Sequence, residues 1–138
     1  MTSAIVKAAV ETILAGWDET AAPIKRPNET FTPPAGPWAM IAYPGSGIRR
    51  ADIGAPDAPM WDEAGAFMVH VMVPLGATEA AADAVGDGLW ELFRGEEQNG
   101  VRFDERLPGT SGEREIPGLE GVFWGISYGI TFRLLAVG

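Results

Sequence analysis

The sequence predicts an α+β domain: a four-stranded, mainly antiparallel sheet with two helices packed on it, joined by long Gly/Pro-rich loops. Three observations carry this expectation. Two segments repeat apolar residues at helical spacing and four others alternate them at strand spacing. These segments run helix, strand, strand, helix, strand, strand, an order that suits strands pairing with helices to one side. Finally, 18 glycines and 11 prolines with no repeat period predict extended connections rather than a fibrous or low-complexity chain. A single domain over residues 1–138 accounts for the length, and a domain of about 150 residues buries roughly 70% of its chain surface.

Each element follows from local chemistry. Thr2 and Ser3 are N-cap residues, and Ile5, Val6, Ala9, Val10, Ile13, Leu14 and Trp17 then share a helical face, with Gly16 ending it. Residues 20–37 are Pro-rich, which excludes helix and central strand. The run from Trp38 to Tyr43 is apolar and reads as a strand, and residues 44–62 read as a long polar loop. Gly65 to Val73 is the strongest strand, with Phe67, Val69, Val71 and Val73 on one face and Ala66, Met68, His70 and Met72 on the other. Both faces are largely apolar, so both are expected to be covered.

Thr78 caps a second helix, with Glu79 in its first turn and Ala81, Val85, Gly88, Leu89, Leu92 and Phe93 on one stripe. At about 100° per residue Trp90 falls away from that stripe. Gly95 closes the helix. Asn99-Gly100 signals a turn, Val101 to Arg106 alternates as a half-exposed strand, and Pro108 to Gly118 reads as a second polar loop. From Val122 to Leu135, Trp124, Ile126, Tyr128, Ile130, Phe132 and Leu134 alternate with Phe123, Gly125, Ser127, Gly129, Thr131 and Arg133. A face of Gly and Ser admits close approach of another element.

The formal charge is −9, and the basic pairs are Lys25-Arg26 and Arg49-Arg50. Binding a nucleic-acid backbone needs clustered positive charge, so this chain is not expected to grip DNA. An acidic surface could still border a channel through which DNA slides, because it repels phosphate. With no cysteine, disulfides and thiolate metal sites are excluded. The chain shows no signal-peptide pattern and no run of roughly 20 apolar residues. It is therefore expected to act as a soluble intracellular protein or within a particle assembled there.

The residues that could do chemistry read as structural. His70, the single histidine, lies between two methionines and lacks the company of ligands or base partners. Asp62-Glu63 and Glu96-Glu97 read as solvated carboxylates at loop edges. Pro44-Gly45-Ser46-Gly47 lacks the Gly-Lys-Ser/Thr ending of a phosphate loop, and Gly109 to Gly112 lacks the nucleophile-elbow spacing. No cofactor and no metal is expected. Of the five tryptophans, Trp61 in a polar loop and Trp90 off its helix stripe are the candidates for burial by another subunit.

Between the first helix and the first strand lie Asn28, Phe31, Pro33, Pro34 and Trp38. This Asn-x-x-Phe-x-Pro-Pro block leading to a Trp and a strand resembles the tail-terminator proteins of long-tailed phages and phage-like gene transfer agents. The likeness continues through a Gly-rich loop, the strand from Gly65 to Val73, the small-residue helix from Thr78 to Phe93 and the strand from Trp124 to Leu134. The resemblance implies a structural, non-enzymatic protein in the particle tail, assembled in the bacterial cytoplasm. It implies a hexameric ring of identical subunits at the head-proximal end of the tail tube. Such a ring stops tube polymerisation and joins the head connector, with DNA passing through its hole and no membrane involved. A closed ring needs head-to-tail contacts. Trp61, Trp90, Arg49, Arg50, Arg94 and Arg114 are the candidate interface residues, and the loops from Pro44 to Trp61 and from Pro108 to Gly118 are the candidate docking elements. A head-completion or tail-tube ring protein is the nearest alternative. A ligand-binding α+β module, or an enzyme using a polar pocket around His70, is the more distant one.

Overall fold

The computed structural model describes residues 2–50 and 60–137. The elements are α1 (Ala4–Leu14), β1 (Ile24–Lys25), β2 (Trp38–Arg50), β3 (Met60–Pro74), α2 (Glu79–Phe93), β4 (Glu97–Gln98), β5 (Val101–Glu115) and β6 (Val122–Val137). The architecture is α+β, but the sheet departs from the expected one. Among the described residues it has six strands in the order β1-β2-β3-β6-β5-β4, and it curls into a half-barrel. It is mixed rather than simply antiparallel, because β1 runs parallel to β2 through Ile24 and Lys25. The two extra strands have two residues each, too short to show any period in the sequence.

The larger correction concerns the loops. Residues 44–50 continue β2, residues 60–62 open β3, and Leu107 to Glu115 continue β5. The remaining part of the expected first loop, 51–59, lies outside the described residues. Pro and Gly are admitted because these stretches lie on sheet edges. β1 covers only Ala39 and Met40 of β2, and β4 covers only Val101 and Arg102 of β5. Pro44 and Pro108 therefore need no outward ladder bond. Both sit in register shifts, Ala42/Gly45 in β2 and Leu107/Thr110 in β5, and a third shift falls at Phe103/Arg106. Gly45 has φ +135°, a conformation L side chains avoid. Bulges bend and twist a strand, which suits a sheet that curls.

The helices cover one face. Val6, Ala9, Val10 and Leu14 of α1 and Ala82, Gly86, Leu89 and Phe93 of α2 are buried against Phe67, Val69, Val71, Phe103, Ile130 and Phe132. Ser3 caps α1, its Oγ accepting from the Val6 amide at 3.4 Å. The buried stripe of α2 is rotated from the expected one toward Ala82 and Gly86, because these small residues allow the helix to sit close to β6. Tyr128 Oη donates to the Gly86 carbonyl at 2.6 Å there. That rotation brings Trp90 to the flank of the stripe, half-buried against the core rather than pointing away from it. The opposite face is covered only in part. Phe31 from the Pro-rich segment stacks on Trp38 with ring centroids 5.0 Å apart, and Phe123 meets Trp38 edge-on at 5.3 Å. With Met72 and Ile116 these rings form a second small core. The Phe31-to-Trp38 block thus acts as a strap across the sheet face that the helices leave bare.

Candidate functional site

Alternation along β3 decides the chemistry of one end of the sheet. Successive strand residues point to opposite faces, so Trp61 and Glu63 go to the helix side and Asp62 to the other. Asp62 and Glu63 are not the solvated pair expected from the sequence. They are 2% and 4% exposed, and each is held by its own donors, as buried charge requires. Glu63 Oε2 accepts from the Ser3 amide at 3.0 Å and from Ser46 Oγ at 2.6 Å. It therefore sits at the N-terminus of α1, where a negative charge is favoured. Burial alone would raise its carboxyl, but the hydrogen bonds from Ser3 and Ser46 outweigh it and hold the carboxyl below its ordinary value of 4.5. Asp62 is gripped by the Arg133 fork, Nε to Oδ1 and Nη2 to Oδ2 both at 3.0 Å, with Arg49 Nε at 3.6 Å. The Arg133 hydrogen bonds, against the cost of burial, hold Asp62 below its ordinary 3.8.

Both carboxyls are depressed in the folded state, so both bind protons more readily when the chain is unfolded. Their stabilisation is present above about pH 5 and is lost as pH falls through the folded values, below about pH 4. A Glu63→Gln variant is expected to lose part of this acid dependence. Urea unfolding midpoints measured from pH 7 to pH 3 read it directly. Parallel curves for the variant and the parent would show that Glu63 is not part of that dependence.

Above Glu63 the helix side of this end is open. Ser3, Ile5, Ile48, Trp61, Glu63 and Leu134 line a cavity of about 140 Å³ that is almost wholly apolar. Ile5 is 50%, Ile48 57% and Trp61 39% exposed. At the other end of the same strand, Pro74 pairs with Phe123, and beyond that pair Leu75 is 53% and Val122 36% exposed. Acidic residues surround this end: Glu79 and Glu113 beside Leu75 and Trp124, and Glu115 beside Val122.

The candidate interface residues do not gather in one place. Trp61 lies on the apolar cavity, and Arg49 is beside it on the opposite sheet face. Arg50 closes β2, and its side chain lies outside the described residues. Arg94, just past α2, pairs with Glu91 at 3.3 Å on an exposed surface. Arg114 belongs to the acidic end, where it donates to the Thr110 carbonyl at 3.3 Å and to Thr110 Oγ1 at 3.0 Å. Trp90 packs on the core flank as described. The sequence reading missed Ile5, assigned to the buried helix face, and Ile48, placed in a loop. Extending the β3 alternation back past Gly65 would have put Trp61 and Glu63 on the helix side.

His70 lies on the face opposite the helices, where its Nδ1 is 2.7 Å from Ser127 Oγ. Burial, and then the positive charge of Arg114, lower its pKa and favour the neutral ring. The two groups satisfy one another across the β3–β6 ladder, where His70 and Ser127 are register partners. The cavity beside Ser127 is lined by Asp83, Arg106, Thr110 and Tyr128 among others, and His70 does not line it. Among the described residues no group of three or more His, Cys, Asp or Glu could hold a metal ion. Among them also, no helix is long and apolar enough to cross a membrane.

Comparison with known proteins places these features in context. A family model described as "Phage tail terminator protein" matches residues 5–105. The match runs from α1 into β5 and stops before β6. No curated protein matches the chain. Nine solved chains do match, among them one aligned over 100% of this chain and 98% of its own, at 23% identity with a TM-score of 0.59. That likeness is one of fold.

Proposed function

The chain belongs to the phage tail terminator protein family, and from that premise we propose that it caps the head-proximal end of a tail tube as a ring of identical subunits. Six is the copy number this reading assigns. The ring stops the tube from adding subunits and offers its other side to the head connector, while DNA passes through the hole without sequence-specific binding. The protein works by shape and contact rather than catalysis, in the tail of a phage or phage-like gene transfer agent.

The single observation that carries this reading is the family match across residues 5–105. The surface chemistry supports it. Exposed large apolar side chains concentrate at two ends of one sheet, and such patches mark contact surfaces. The carboxylates at the cavity are held by donors, and His70 is satisfied by Ser127. A terminator also has to refuse further tube subunits, which calls for two axial faces of different shape and charge.

The test is imaging of negatively stained tail tubes assembled with and without the purified protein. Density at one end of each tube, with tube growth arrested, is the expected result. Tubes that grow unchecked and stay bare at both ends in its presence would refute the terminator role.

A further inference from the structure

Of the six large apolar residues that stand exposed among the described residues, five lie at the two ends of the β3–β6 ladder. Ile5, Ile48 and Trp61 lie at one end, Leu75 and Val122 at the other. The first three form a socket, an apolar cavity of about 140 Å³ with the buried Glu63 in its wall. Leu75 forms a knob, carried on the tight turn after β3 that the Ala77 amide closes onto the Pro74 carbonyl at 3.1 Å. The charges match in the same sense. The cations nearest the socket lining in the chain are Lys7, Arg49 and Arg133, and only Asp62 offsets the two arginines. Glu63 is enclosed by its hydrogen-bond donors. The knob is flanked by Glu79 and Glu113, with Glu115 close by, and its one cation, Arg114, is turned onto Thr110.

We propose that the Leu75 end of one subunit seats in the Ile5–Ile48–Trp61 socket of a second copy of this chain. Knob and socket lie at opposite ends of a 15-residue strand, roughly 50 Å along its length, so a subunit cannot fill its own socket. Every copy presents one of each, which makes the contact heterologous, the type that closes into a ring when the rotation allows. Apolar burial holds the knob, and the opposite charges at the rims set its orientation and reject the reversed pairing. The proposal rests on the ring reading above, and it names the surfaces that such a ring would join.

The absence of cysteine makes the test clean. Ile48→Cys and Leu75→Cys are introduced singly and together into the full chain. Free protein, or protein bound to tail tubes if rings form only there, is then treated with an oxidant or a short bifunctional thiol reagent. The double variant is expected to give a covalent ladder ending at the ring, an equimolar mixture of the single variants a dimer only, and each single variant alone nothing. As an independent measurement, Leu75→Glu is expected to weaken subunit association at least about tenfold per contact while the monomer stays folded. A single variant that cross-links to itself would mean an isologous contact and would overturn the proposal. Rings that form normally, with no ladder from the double variant and no loss with Leu75→Glu, would overturn it and leave the ring reading standing. The knob or socket would then be free for a tail-tube or connector partner. If no ring forms either free or on tubes, the ring reading fails and the proposal falls with it.

Discussion

Replacing Phe67 by Ala is expected to lower stability by about 3–5 kcal/mol, a large part of the 5–15 kcal/mol typical of a domain. Phe67 is fully buried. Its ring meets Phe93 of α2 at 5.0 Å, Phe103 of β5 at 5.9 Å and Tyr43 of β2 at 6.2 Å. Phe93 and Phe103 touch each other at 5.2 Å, so the three phenylalanines close a triangle linking α2 to both arms of the curled sheet. Truncation removes the transfer energy of the ring and leaves a hole that neighbours on three different elements cannot all move to fill. In urea, the midpoint should fall while the slope stays unchanged, since the surface exposed on unfolding is nearly the same. Phe67→Leu keeps most of the volume and should lose much less. Equal losses for the two variants would show that the position senses shape at the backbone rather than the aromatic cluster.

Gly109→Ala is the second large effect. A β-carbon at residue 109 would fall inside the contact shell of the Ser127 carbonyl oxygen and 3.1 Å from Tyr128 Cβ. Neither neighbour is the free end of a flexible side chain, so β5 would have to move off β6. Overpacking of this kind costs about 1–3 kcal/mol and sometimes more. The damage should be local, with faster amide exchange from Thr110 to Glu115 than in β3. Gly47→Ala is the control, because a methyl group there meets nothing within 4 Å. It should change stability by no more than about 0.5 kcal/mol. Indistinguishable stabilities for Gly109→Ala and Gly47→Ala would refute this account of the bulge.

The parts of the fold visible in the sequence are those where one periodicity acts alone. Ser3 and Thr78 mark the starts of α1 and α2, and the alternation from Trp124 to Leu134 sorts β6 onto its two faces correctly. The misreadings share a cause. Pro44, Gly45, Pro108 and Gly109 carry turn chemistry, and in a central strand they would have broken the ladder. Their strands have unpaired outer edges and bulges, and edge position is a tertiary fact that composition does not encode. Asp62 and Glu63 were hidden for the complementary reason. Their partners, Arg133 and Ser3, lie 71 and 60 residues away, and without them the pair looks like ordinary surface charge. Trp61 was legible as an aromatic in need of cover. The cavity around it was not, because Ile5, Ile48 and Leu134 come from three separate elements.

Strand order also sets a sequence in time. β6 is hydrogen-bonded to β3 on one side and to β5 on the other, and it follows both during synthesis. Until residues 122–137 emerge from the ribosome, the inner edges of β3 and β5 have no strand between them, and the triangle of phenylalanines has no continuous sheet beneath it. Leu134, which lines the apolar cavity, arrives with that strand. A nascent subunit therefore carries an exposed Leu75 before it has a complete cavity to receive one. Folding and competence to join other copies are thus completed by the same segment, which discourages half-made chains from entering an assembly.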